Sequence, residues 1–262
     1  MFERKVALQF AEHRNLKILE TNNYDFARSE ILAPFVFDEM ADIAREYPIV
    51  FPDNGSDLPS ALLGLEAGHN AYVGPDGIWQ GTYIPSHIRR YPFLFGTVSG
   101  ENPDPNRFVI LFDPDAPHFR DPNGYPVFTA TGSLSDHMHR RMELLERIQK
   151  HIDRTRTMVR DLAAAGVLVE RAISIRKEGG QERRIKGLRV IDEKVLNQLP
   201  DEEFDNLRQK GLLPLIYSQL LSWANFRQGP IAGKYPDLAA KPEGKNPAFL
   251  FESNLVDFSG LS

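Results

Sequence analysis

The 262-residue chain contains no cysteine, so disulfides, thiolate nucleophiles and cysteine-ligated zinc sites are excluded. It contains no uncharged apolar run long enough to span a bilayer. No apolar stretch of signal-peptide length follows the first charged residues. These absences predict a soluble protein without membrane insertion. We expect a cytoplasmic location, with export to the cell surface by a route that needs no N-terminal signal left open.

A surplus of basic residues is also missing. Lysine and arginine number 31 against 36 acidic residues, which gives a formal net charge of −5. Proteins that bind nucleic acid usually carry a basic surplus, so we expect no nucleic-acid partner. Glycine-rich phosphate loops, Gly-x-Ser-x-Gly elbows and His-Glu-x-x-His motifs are absent too. The sequence therefore indicates no cofactor, and it leaves the oligomeric state and enzymatic activity open.

The patterns that are present predict an α+β fold. Residues 1–132 are β-rich, with a buried strand expected at 49–51 and the clearest strands at 93–98 and 107–112. Residues 168–176 and 183–191 alternate apolar with polar side chains and predict a basic β-hairpin, followed by C-terminal helices up to residue 226. Between these halves we predict a long amphipathic helix, capped by Ser133 or Ser135 and ending near Gly166. Its apolar face comprises Met138, Met142, Leu145, Ile148, Ile152, Val159 and Leu162.

The predicted domain organisation is simple. We expect one α+β domain over residues 1–228, with a sub-boundary near 114–132. A tail rich in proline and glycine follows at 229–262 and is expected to pack on the surface. The tail residues expected to act as anchors are Phe249, Leu250, Phe251 and Phe258.

The densest group of functional side chains lies at residues 83–93, which read Tyr-Ile-Pro-Ser-His-Ile-Arg-Arg-Tyr-Pro-Phe. Pro85 can begin a helical turn, and a guanidinium beside it can bind a carboxylate or phosphate. The alternative is structural: an arginine bonds backbone carbonyls and ties a loop to the sheet, while the aromatic rings pack in the core. On the functional interpretation, the ligand-binding residues are Trp79, Tyr83, His87, Arg89, Arg90 and Tyr91.

A second polar group follows the strand predicted to end at Phe112. Its members are Asp113, Asp115, His118 and Asp121. Carboxylates and a histidine just beyond a strand end can bind a divalent cation or act as acid and base. The Pro-Asp pattern here is equally typical of a turn. The catalytic candidates are His87, with Asp113 and Asp115 as helpers.

Two further sets of charged residues favour a solvated surface. Asp136-His137-Met138-His139 and His151-Ile-Asp153 superficially resemble metal ligation, but residues two apart on a helix do not share a face. We therefore expect no metal site there. The predicted hairpin can touch an anionic partner, although its basic residues alternate with core positions. These basic residues are Arg171, Arg176, Lys177, Arg183, Arg184, Lys186 and Arg189.

Several short motifs together resemble the bacterial SapC family from about residue 24 to residue 226. The most specific is Arg89-Arg-Tyr-Pro-Phe93 preceded by Tyr83-Ile-Pro85. The other motifs are Tyr47-Pro-Ile-Val-Phe51, Ala61-Leu-Leu-Gly-Leu65, Asn70 with Trp79, Gly187-Leu188 with Ile191-Asp192, and Leu215-Ile-Tyr-Ser-Gln-Leu-Leu-Ser222. The resemblance implies association with a paracrystalline bacterial surface layer, and genes near tryptophan-halogenase-like proteins, cupin-like proteins and outer-membrane receptors. It implies no established catalytic residues.

Two functional hypotheses follow from the residues and the resemblance. The first is a non-catalytic accessory or binding protein of an envelope or surface-layer pathway, with a peptide or a small anionic or aromatic ligand. The second is an enzyme, or the partner of one, acting on a peptide or an aromatic metabolite with His87 as acid and base. A third, a lattice subunit, is disfavoured because threonine-rich repetitive β-sequence is absent.

Overall fold

The structure, a computed structural model, describes residues 1–97, 108–176 and 182–235, and the side chains of 1–97, 108–173 and 185–235. The last residue of the strand predicted at 93–98 and the first residue of the strand predicted at 107–112 lie outside these residues. So do residues 177–181 of the hairpin and the tail beyond 235, with its expected anchors Phe249, Leu250, Phe251 and Phe258.

The described part of the first half consists of short elements, none of them longer than the seven residues of its second helix. Its strands and helices are β1 (Val6–Ala7), α1 (Phe10–His13), β2 (Lys17–Ile18), β3 (Leu32–Pro34), α2 (Met40–Glu46), β4 (Ile49–Pro52), β5 (Ser60–Leu62), α3 (Ser86–Arg89), β6 (Phe93–Thr97), β7 (Phe108–Phe112) and β8 (Tyr125–Pro126). Single 3-10 turns lie at Asp25–Ala27, Phe37–Glu39 and Pro117–Phe119.

The second half holds the longer elements. These are α4 (Asp136–Ala164), β9 (Leu168–Arg176), β10 (Glu182–Ile191), α5 (Glu193–Asn197), α6 (Asp201–Gln209), α7 (Leu213–Ser222), a 3-10 turn (Trp223–Phe226) and α8 (Gly229–Lys234). The α+β prediction is confirmed. The first residues of the predicted tail form α8, whose Ile231 is fully buried. None of the described helices combines the length and apolar character needed to cross a bilayer.

The described strands pair antiparallel in three sheets. The largest has the order β3-β5-β4-β10-β9, and the smaller ones have the orders β1-β7-β6 and β2-β8. In the five-stranded sheet, β4 pairs with β10 through Phe51 opposite Arg189 and Pro52 opposite Leu188. This sheet therefore combines strands from both sides of residues 114–132.

Helix α4 extends between two hydrophobic cores. Its 29 residues correspond to a length of about 44 Å. Ser135 caps its start by accepting a hydrogen bond from the Met138 amide, and Gly166 follows its end with a φ of +72°. Near the start, Met138, Met142 and Leu145 pack in one core with β6 and β7 residues. Near the end, Met158, Val159 and Leu162 pack in another core with residues of α6 and α7. The middle of α4 lies between these two contacts.

Candidate ligand-binding cavity

Helix α3 presents the charged part of residues 83–93. Pro85 precedes the helix with a φ of −54°, the value that its ring favours, and Ile88 is buried beneath the turn. The chain cannot continue as a helix through Pro92, because the residue before a proline disfavours the helical region. The Tyr91–Pro92 peptide bond is cis, and β6 begins at Phe93. Arginines and histidine are thus held on one short turn between buried residues.

A buried carboxylate holds the start of α3 in place. Glu39 is 3% exposed. It accepts hydrogen bonds from the Ser86 amide at 2.7 Å, from the Ser86 hydroxyl, and from the Tyr83 hydroxyl at 2.5 Å. The Arg89 guanidinium lies 3.8 Å from the same carboxylate. Hydrogen bonds to an ionised acceptor are stronger than neutral ones, so Glu39 fixes the orientation of this turn.

The 3-10 turn Phe37–Glu39 is in turn attached to α4. The hydroxyl of Thr155, a fully buried residue, accepts a hydrogen bond from the Phe37 amide at 2.9 Å. The Arg147 guanidinium pairs with the Asp38 carboxylate at 2.5 Å. Contacts from one three-residue turn therefore reach both α3 and α4.

A cavity of about 200 Å³ lies between α3, the middle of α4 and the segment after β3. Six of its nine lining residues are apolar: Pro34, Phe35, Val36, Leu58, Ile148 and Ile152. The other three are Ser86, His87 and Arg90. A hollow of about 10 Å³ adjoins it and shares three of these residues; its remaining lining residues are Glu39, Arg89, Leu144 and Arg147.

His87 and Arg90 form a pair on the cavity wall. Arg90 Nη2 lies 3.1 Å from His87 Nδ1. A guanidinium can only donate, so Nδ1 accepts and the imidazole proton resides on Nε2. Burial, followed by the positive charge of Arg90, lowers the pKa of His87 to about 3. His87 is therefore a neutral Nε2–H donor at physiological pH.

Arg90 retains unused hydrogen-bonding capacity. Its bond to His87 is its only side-chain hydrogen bond to a described residue, and its buried Nε has no partner among them. Burial lowers the pKa of Arg90, and the charge of Glu39 offsets part of this effect. A desolvated guanidinium with few partners is unfavourable, which makes it a favourable contact for an anion.

Three of the six predicted ligand-binding residues serve other contacts. Trp79 is 7% exposed, and its indole donates to the Tyr47 hydroxyl at 3.0 Å. The Tyr83 hydroxyl donates to Glu39, and the Arg89 guanidinium lies over the Tyr83 ring, 5.2 Å from the ring centroid. Tyr91 is 4% exposed and stacks on Phe26. The cavity thus brings together His87 and Arg90, while Arg89 borders the adjoining hollow.

The two carboxylates predicted as catalytic helpers are not among the cavity-lining residues. Asp113 is fully buried and accepts hydrogen bonds from the Glu3 amide at 2.8 Å, the Asp115 amide at 3.2 Å and the Tyr91 hydroxyl at 3.2 Å. Asp115 forms an exposed ion pair with Arg4. Asp113 therefore organises a turn.

The histidines of α4 need one correction. His137 is only 8% exposed, with its ring stacked on Tyr125 at 4.6 Å, so it is not part of a solvated face as predicted. The prediction was wrong because Tyr125, which covers the His137 ring, belongs to the two-residue strand β8, and the periodicity of α4 carries no information about it. His139 and Asp153 are exposed as expected. Among the described residues, no three histidine or acidic side chains come close enough together to hold a metal ion.

The described part of the basic hairpin is partly engaged within the chain. Arg171 forms an ion pair with Asp192 at 2.6 Å, and the Asp192 side chain also caps the start of α5. Lys186 is exposed and Arg189 is half-buried. The side chains of Arg176, Lys177, Arg183 and Arg184 lie outside the described residues.

Sequence reasoning missed the residue that holds α3 against the cavity and gave only part of the cavity wall. Glu39 carried no recognisable pattern, since its main partner Ser86 is 47 positions away. The one available indication was the periodicity of α4, which placed Ile148 and Ile152 on its apolar face without showing that they border a space.

Fold and cavity together define an α+β protein with a small, mostly apolar cavity between a short helix and a long one. The chain belongs to the SapC family, which it matches over residues 8–228. The resemblance carried by its motifs is thereby confirmed. No curated protein and no solved structure matches the chain.

Proposed function

We propose that this protein is a non-catalytic accessory protein that binds a small ligand, or a small group of a protein or peptide partner, in the α3–α4 cavity. The single observation that carries the proposal is the cavity itself, where apolar walls meet an arginine with few partners. Pockets that combine apolar walls with a few polar groups are typical ligand sites. The family supports a bacterial envelope or surface-layer pathway, and we propose a cytoplasmic site of action.

Binding is favoured over catalysis by the chemistry of the cavity wall. A general base works best when its pKa is near the working pH. The pKa of His87, at about 3, makes its imidazole a weak base at neutral pH. Asp113 and Asp115, the carboxylates that would assist it, are bonded elsewhere. The wall offers hydrogen-bond donors and apolar surface, which suit recognition.

A cavity-blocking variant tests the proposal. Purified protein is screened by thermal shift against a panel of small neutral, anionic and cationic compounds. Ligand at 100 times its Kd stabilises the folded state by about 2.7 kcal/mol, so we expect Tm to rise by about 5 °C or more. Ile152→Trp places a larger side chain in the cavity and should abolish the rise for the compounds that bind the wild type.

The matched control is Lys150→Trp, which adds the same side chain to an exposed position of α4 outside the cavity. It keeps the full ligand-dependent rise in Tm. If no compound stabilises the wild type, or if Ile152→Trp responds like Lys150→Trp, the cavity is not a ligand site and the proposal is wrong.

A further inference from the structure

The lining residues of the cavity carry one positive charge and no negative charge, and the nearby Glu39 carboxylate is already paired with Arg89 at 3.8 Å. Of the three polar lining residues, Arg90 is the cation, His87 is neutral, and the Ser86 hydroxyl already donates to Glu39. A monoanion balances one guanidinium. A dianion such as phosphate would leave a charge uncompensated beside apolar walls, which is costly where water is largely displaced.

The donors of the wall suit a group with two acceptor oxygens. A guanidinium has five N–H donors, and Arg90 spends one of them on His87 among the described residues. That same bond leaves the His87 proton on Nε2. The two side chains are three positions apart, which places them side by side on a helical turn. Neighbouring donors of this kind match the two oxygens of a carboxylate.

The size and lining of the cavity favour a short aliphatic chain. Its volume of about 200 Å³ equals roughly seven waters at about 30 Å³ each. This is below the roughly 300–1,000 Å³ of pockets for drug-sized molecules. Five of the six apolar lining residues are aliphatic, and Phe35 is the single aromatic one. A long or polyaromatic ligand does not fit entirely within this space.

We propose that the ligand is a free, short-chain aliphatic monocarboxylic acid, whose carboxylate binds Arg90 and His87 and whose alkyl group packs against Ile148, Ile152 and Leu58. This inference rests on the proposed function and names the ligand class for the same cavity.

Three compounds with one alkyl group and different head groups test the head-group assignment. Titration calorimetry is carried out on the wild-type protein with 4-methylpentanoate, 4-methylpentanamide and 4-methylpentan-1-ol. We expect the acid to bind at least tenfold more tightly than the amide or the alcohol. In the series from acetate to hexanoate, affinity should rise about fourfold per methylene until the cavity is full.

Arg90→Gln and Arg45→Gln form a matched pair of variants. Arg90→Gln should weaken 4-methylpentanoate binding more than tenfold while leaving the alcohol nearly unaffected. Arg45 pairs with Asp42 on an exposed part of α2 and is not among the lining residues of the cavity or of the adjoining hollow, so Arg45→Gln should stay within twofold of the wild type. The comparison of head groups uses only the wild type and remains decisive if Arg90→Gln does not fold.

The outcomes separate the two proposals. Equal or tighter binding of the amide or the alcohol would overturn the carboxylate assignment and leave the ligand site standing. If neither this series nor any compound of the screening panel binds, both the ligand site and the carboxylate assignment are wrong. The dipeptide Gly-Leu carries the same alkyl group beside a peptide carboxyl terminus. If it binds more tightly than 4-methylpentanoate, the partner is a peptide end and the assignment to a free acid is wrong.

Discussion

At the scale of single residues, Glu39 has the largest expected effect on local structure. Its carboxylate accepts from the Ser86 amide, the Ser86 hydroxyl and the Tyr83 hydroxyl while nearly excluded from water. In Glu39→Gln, the amide NH2 group would replace the oxygen that accepts from the Ser86 hydroxyl, and the bonds from the Ser86 amide and the Tyr83 hydroxyl would lose their charged acceptor. We expect the free energy of unfolding to fall by about 3 kcal/mol, measured by urea denaturation.

Asp38→Asn is the matched control on the neighbouring residue. Its pair with Arg147 is more exposed, at 34% and 58% of the two side chains. Exposed pairs contribute about 0–1 kcal/mol, so the loss should stay below about 1 kcal/mol. Similar losses for the two variants would contradict a special role for Glu39.

The types of residue at 83–93 were enough to select His87 and Arg90 as site candidates. They were not enough to separate them from Trp79 and Tyr91, which lie in the core. Aromatic side chains suit a binding surface and a core equally well, and burial depends on what packs above them. That packing comes from distant segments such as the one holding Phe26, which a local pattern does not reveal.

At the scale of elements, the length of each helix or strand decided whether it could be predicted from the sequence. Helix α4 and the hairpin β9–β10 were predicted nearly to their ends, because a periodic pattern repeats many times along each. The two-residue strand β8 contains too few positions to show any period. It exists because β2 supplies its hydrogen-bond partners, which is a tertiary effect.

The sequence left two serines open as the cap of α4, and the structure selects Ser135. Its hydroxyl accepts from the Met138 amide and donates to the Pro126 carbonyl at 2.7 Å. Ser135→Ala should lower the free energy of unfolding by about 1 kcal/mol, the usual value of an N-cap. Ser133→Ala, at an exposed side chain, should change it by less than about 0.5 kcal/mol. Equal effects in urea denaturation would refute the assignment of the cap.

At the scale of the whole molecule, the cavity lies beside the middle of α4, between the stretches that this helix buries in two cores. The flanking stretches are held by buried residues such as Met142 and Leu162. Ile148 and Ile152 instead remain half-buried at the cavity. Ligand contacts here would add packing at the part of α4 that contributes least to either core. Such binding should therefore stabilise the fold as a whole.

The stability of the whole molecule should depend on pH through three histidines. Burial is the main cause that lowers the pKa of His87 to about 3, that of His118 to about 4, and that of His137 below its usual value. The positive charges of Arg90 and Arg141 act in the same direction. The folded state therefore binds fewer protons than the unfolded chain below pH 6.5, and acid favours unfolding.

The stability that depends on neutral histidines is fully present above about pH 6.5, the histidine pKa in the unfolded chain. It is lost as the pH falls towards the lower pKa values of the folded state. Urea denaturation at pH 7.5, 6.5, 5.5 and 4.5 should show a plateau, then a fall of up to about 1.4 kcal/mol per pH unit for each neutral histidine. In His118→Gln the unfolded chain no longer takes up a proton at this position, so the free energy of unfolding should fall less steeply with pH. His139→Gln changes an exposed position of α4 and should leave this slope unchanged. A maximum of stability near pH 5 would mean that these histidines are charged in the folded protein. It would also make His87 a second cation beside Arg90 on the cavity wall, which would contradict the single positive charge from which a monoanion is inferred.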